Sequence, residues 1–70
     1  MKHSLTLKGH RTSVSLEAVF WDEFRRLAAE KGRSLNDLAA EIDAAREDVG
    51  LASAIRVHIL NALRNGRDQG

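Results

Sequence analysis

The chain has 70 residues, enough for one domain and too few for a large core. It contains no cysteine, so no disulfide braces it, and His3, His10 and His58 stand too far apart, with no acid at ligand spacing, to predict a metal centre. Its formal net charge is +1, which leaves the partner open, and no apolar run approaches the roughly 18 residues of a membrane span, which excludes an embedded chain.

Residues 1–9 read as a flexible basic arm. Ser4-Leu5-Thr6-Leu7 alternates in the manner of a strand, but Gly9 interrupts it. No apolar stretch of signal-peptide length follows Lys2, so the expected location is the cytoplasm. The segment His10-Arg11-Thr12-Ser13-Val14-Ser15-Leu16 is predicted as one short β-strand. Side chains on a strand alternate faces, so Thr12, Val14 and Leu16 share one face and Arg11, Ser13 and Ser15 the other. A lone strand cannot satisfy its own backbone hydrogen bonds. With no second strong strand in sight, the expected partner is another copy of the chain. Two such strands side by side present arginine and small hydroxyls on a ribbon that fits the DNA major groove.

Charge is distributed to match. Residues 1–16 hold Lys2, Lys8 and Arg11 and no acid, whereas residues 17–50 are net acidic. A solvated basic tail would give the same pattern. From charge alone the basic tail is the favoured reading, and the nucleic-acid face is the alternative.

Glu17 begins a helical pattern. Phe20, Phe24, Leu27 and Ala28 recur at the spacing of one helix face, with Asp22, Arg26 and Glu30 as opposite-charge neighbours on the polar side. Gly32 suits the stop, which places this helix from Glu17 or Ala18 to Lys31. Ser34 is a suitable N-cap for a second helix, with Asp37 following as in a capping box. Leu35, Leu38, Ala39, Ile42 and Ala45 form its apolar face, and Arg46-Glu47-Asp48 followed by Gly50 ends it. A third helix is predicted from Ala52 or Ser53 to Asn65, with Gly66 as the stop and residues 66–70 as a disordered tail.

The third helix is apolar around most of its circumference, with Ile55, Ile59, Ala62 and Leu63 on one side and Val57 and Leu60 on another. A helix of that kind is buried from several directions. A core this small supplies only about 3–5 kcal/mol, and small scaffolds then need a staple. Oligomerisation is the staple left. A homodimer is therefore expected, with Thr12, Val14, Leu16, Phe20, Phe24, Ile55, Ile59 and Leu63 in its core. Trp21 is expected to pack on the partner or on the third helix, and His58 to be a hydrogen-bonded core or interface residue.

An Arg-x-Ser-x-Ser strand, a helix, and a Gly-x-Ser turn into a second helix together resemble the ribbon-helix-helix family of DNA-binding proteins, to which the Arc and MetJ repressors belong. The likeness is closest to a bacterial subfamily of small ribbon-helix-helix domain proteins. It is carried by the stretch from Gly9 to Glu17, by Phe20-Trp21, by Glu41-Ile42-Asp43-Ala44-Ala45-Arg46 and by Ser53-Ala54-Ile55-Arg56. The resemblance implies a mainly α domain over residues 10–65, with one short N-terminal strand paired antiparallel across an intertwined homodimer. It implies base contacts from Arg11, Ser13 and Ser15, and a phosphate held at the start of the helix after the turn, at Arg33, Ser34 and Leu35. The extra third helix departs from the family pattern, and it makes Ser53 with Arg56 a second candidate for the phosphate anchor.

On the residues themselves, Arg11 is able to donate two bonds to a guanine edge, worth about 1–3 kcal/mol of discrimination. Ser13 and Ser15 donate or accept and specify weakly. Lys8 and His10 add phosphate contacts without sequence preference. No catalytic triad, glycine-rich phosphate loop or thiol is visible, so neither an enzyme nor a cofactor is expected. The expected function is sequence-specific binding of double-stranded DNA by a transcriptional regulator. The alternatives are a dimeric adaptor that no longer binds DNA, and an antitoxin, although the residues after Gly66 are too few and too polar to wrap a toxin.

Overall fold

A computed structural model describes residues 2–68. Two strands, β1 (Lys2–Leu7) and β2 (His10–Ser15), precede three helices, α1 (Ala18–Glu30), α2 (Leu35–Ala45) and α3 (Leu51–Asp68). The strands pair antiparallel with each other, from Leu7 opposite His10 at the turn to Lys2 opposite Ser15 at the open end. The expected flexible arm is therefore a strand, and the predicted single strand has its partner inside its own chain.

The reason lies at Lys8 and Gly9. Both have positive φ, 52° and 83°, as in the type I′ two-residue turn, whose twist matches that of the strands it joins. Glycine adopts that conformation freely, so Gly9 makes the hairpin instead of interrupting a strand. Leu5 and Leu7 then join Val14 and Leu16 in the core, each no more than 9% exposed.

The helices lie close to their expected positions. After α1, Gly32 has φ 65°, and the Gly32 and Arg33 amides donate to the Ala29 and Ala28 carbonyls at 3.1 and 2.9 Å. This is a Schellman stop, which satisfies carbonyls the helix end would leave free. Ser34 caps α2, its hydroxyl accepting from the Asp37 amide at 3.0 Å. The third helix starts earlier than expected, at Leu51, and runs through Gly66 to Asp68. A glycine near a helix end costs only about 1 kcal/mol against alanine and need not stop it. Of the tail expected to be disordered, residues 66–68 are thus helical, and Gln69 and Gly70 lie outside the described residues.

One face of the hairpin packs on the helices, with α2 beside β1 and α3 beside β2 and α1. Leu16, Phe24, Leu38, Ile55 and Ile59 are the largest fully buried side chains. Five residues expected in a dimer core, Val14, Leu16, Phe24, Ile55 and Ile59, are thus buried within one copy. Thr12 and Phe20 are half-buried, and Leu63 is 40% exposed. The extra strand changes the outcome, because β1 brings Leu5 and Leu7 into the core. Val57, Leu60 and Leu63 remain exposed on α3.

Candidate nucleic-acid interface

Paired residues on an antiparallel ladder point to the same face. His3 with Val14, Leu5 with Thr12 and Leu7 with His10 therefore face the helices. Lys2 with Ser15, Ser4 with Ser13 and Thr6 with Arg11 face outward, and all are exposed. The outward face thus carries two cations and four hydroxyls, with no acid and no apolar side chain. Arg11, Ser13 and Ser15 share this face as expected. Lys2, Ser4 and Thr6, expected in a flexible arm, join them. The signal for them was present in the alternation of Ser4-Leu5-Thr6-Leu7 ahead of a Lys-Gly pair.

The hairpin's basic groups are also left uncommitted. On the helices, Arg26 pairs with Glu23 and Glu30, Arg33 with Glu41, Arg46 with Asp43 and Arg56 with Glu17. Among the described residues no carboxylate pairs with Lys2, Lys8 or Arg11. Lys8 sits in the turn, and His10 is exposed beside it on the inner side of the ribbon.

The expected phosphate anchor lies against the ribbon's edge. The Thr6 amide donates to Asn36 Oδ1 at 3.0 Å, which sets the first turn of α2 along the outer edge of β1. Only Asn36 of this turn reaches the ribbon's edge, Leu35 packs against the core, and the Arg33 guanidinium is engaged by Glu41. Ser53, the second candidate, is exposed near the start of α3, whose Leu51 faces the inner side of the hairpin tip.

The far end of the ribbon is held by Arg56. Its Nε donates to Glu17 Oε1 at 3.0 Å, its terminal nitrogen donates to the Ser15 carbonyl at 3.4 Å, and its guanidinium lies 5.7 Å from the Phe20 ring centre. Glu17 is held below the usual carboxylate range, first by a hydrogen bond to its own backbone amide and then by Arg56. Trp21 does not wait for a partner subunit. His3 stacks on it at 3.8 Å with the rings nearly parallel. His58, expected to be hydrogen-bonded, has its Nε2 buried without a partner.

The sequence profile of the ribbon-helix-helix domain matches residues 1–63. The chain belongs to the ribbon-helix-helix family. The match takes in β1 as well as β2, so the hairpin lies within the ribbon-helix-helix domain and is not an appendage to it. In general terms the ribbon-helix-helix domain is a DNA-binding regulator fold. No curated protein and no solved structure matches the chain. The match also takes in most of α3, so the third helix lies largely within the matched domain, and the chain forms a two-stranded ribbon by itself. No helix among the described residues is long and apolar enough to cross a membrane.

Proposed function

We propose that this ribbon-helix-helix protein binds double-stranded DNA as a homodimer, with the outward face of the ribbon in the major groove. It would act as a cytoplasmic transcriptional regulator, with no catalytic step and no cofactor. The observation that carries the reading is the outward face itself, where Arg11 stands among hydroxyls with no acid beside it. Arg11, Ser13 and Ser15 are the base readers. Lys2, Lys8, His10 and the start of α2 at Arg33, Ser34 and Leu35 serve the phosphates.

The case for a dimer no longer rests on a strand without a partner. It rests on an open edge. Leu7 and His10 flank a two-residue turn and so form a hydrogen-bonded pair, which turns the backbone groups of Arg11, Ser13 and Ser15 away from β1. Asn36 caps the Thr6 amide on the outer edge of β1, and Arg56 occupies the Ser15 carbonyl. Among the described residues, the backbone of Arg11 and Ser13 has no such cover. A second copy adding its own β2 antiparallel there completes the ladder and repeats the same surface about a two-fold axis. Leu60 and Leu63 follow Arg56 at i+4 and i+7 on α3, which places them on the side of the helix nearest that edge.

The dimer's sheet then has four strands. At about 4.8 Å per strand it spans about 14 Å between its outer strand axes. That exceeds the roughly 12 Å of the groove, so the two central β2 strands enter and the β1 strands flank them. Gel-shift titration against a random-sequence duplex pool tests this reading. Retarded, salt-sensitive complexes are expected. No affinity at low salt would instead favour the adaptor alternative.

A further inference from the structure

A cleft of about 300 Å³ lies under the hairpin tip, between the inner side of the ribbon and the joint of α2 with α3. We infer that this cleft is a binding site for a small organic anion, a carboxylate or phosphate monoester carried on a short apolar body. The volume lies at the small end of ligand pockets.

The charged lining is one-sided. Lys8, His10 and Arg46 line the cleft, and Asp43 is the single acid among its lining residues. Asp43 is already committed, its Oδ1 accepting from Arg46 Nε at 2.6 Å. Arg46 also donates to the Val49 carbonyl at 2.9 Å. Two anchors therefore fix the guanidinium and leave further N–H donors for a ligand. Among the described residues neither Lys8 nor His10 has a salt-bridge or hydrogen-bond partner through its side chain. Leu7 and Leu51 supply apolar wall, which a hydrated inorganic ion would not use. Leu51 also opens α3, so the positive end of that helix adds to the field.

The site shares Lys8 and His10 with the proposed phosphate contacts but includes none of the proposed base readers. Leu7, His10 and Thr12 line it, and all lie on the face of the ribbon opposite Arg11. An occupant would tie the hairpin tip to the α2–α3 joint.

The test is an amide NMR titration of the full chain with phenyl phosphate and with benzoate, using phenol and inorganic phosphate as controls. Saturable shifts are expected at Leu7, Lys8, His10, Thr12, Arg46 and Leu51 with both anions, and weaker binding of both controls. Lys8→Gln and Arg46→Gln should each lower the affinity for phenyl phosphate about tenfold. Arg46→Gln also removes two internal bonds, so Lys8→Gln, whose side chain is exposed, keeps the test decisive. Three results would overturn the assignment: shifts centred on Lys2 and Arg11, inorganic phosphate bound as tightly as phenyl phosphate, or unchanged affinity in Lys8→Gln. The titration itself contains no DNA, so its failure leaves the reading of the outward face standing, and the converse holds.

Discussion

Arg11 is exposed, has no carboxylate partner among the described residues, and stands among hydroxyls on the ladder. Because nothing in the fold leans on its side chain, Arg11→Ala should leave the melting temperature unchanged while reducing affinity for a selected DNA site by about 1–3 kcal/mol. Gel-shift titration beside a thermal melt separates the two effects. His58 behaves differently, since its environment acts on its charge. Burial holds the imidazole below its ordinary range, Lys31 adds to this and Glu41 opposes it. The folded state therefore resists a proton that the unfolded chain accepts. Stability is unaffected above the unfolded value of about 6.5 and declines as pH falls from there toward the lowered folded value. Urea midpoints measured at about pH 7.5 and about pH 5.5 should differ less in His58→Leu than in the parent. A parent with no decline between those two conditions would contradict the buried, unpartnered Nε2.

The hairpin and the α2 start are the elements that shape the surface, and both depend on local chemistry. Lys8 occupies left-handed backbone, which costs a non-glycine residue about 1–2 kcal/mol. Lys8→Asn gives the turn the Asn-Gly pair that type I′ geometry favours and should raise stability by about 0.5–1 kcal/mol in chemical denaturation. An unchanged or lowered midpoint would mean that this turn is not the type described. At the other element, Ser34→Ala removes the acceptor for the Asp37 amide and should cost about 1 kcal/mol. The same change should also weaken DNA binding beyond that loss of stability, because the Ser34 cap orders the turn that Asn36 ties to the edge of β1.

In the assembled molecule the open edge of β2 decides the oligomer. The purified protein should show twice its 7.8 kDa chain mass by light scattering. Ser13→Pro removes an amide that points away from β1, so it spares the internal ladder and blocks the external one. A monomer that keeps its helical circular dichroism is the expected result. A dimer surviving that substitution would place the two-fold contact elsewhere. Two ribbons brought together also set the salt response. With about four phosphates neutralised per dimer, affinity should fall roughly a hundredfold between about 50 mM and about 200 mM salt.

Much of this protein is written in local pattern. The three helices, the Gly32 stop, the Ser34 cap and the alternation that puts Arg11, Ser13 and Ser15 on one side all follow from spacing and from single-residue preferences, which act over a few residues. The family resemblance was legible on the same residues, and the domain profile agrees with it. The role of β1 was not legible in this way. Whether Ser4-Leu5-Thr6-Leu7 stays an arm or becomes a strand depends on burying Leu5 and Leu7 against helices far along the chain, and only the packed molecule supplies that surface. The same packing gathered a core within one copy, stacked His3 on Trp21, drew Lys2 and Thr6 into the outward face, and left the Arg11–Ser13 stretch of the β2 edge uncovered among the described residues. Those outcomes required contacts between residues distant in sequence, and periodicity within a segment carries no information about them.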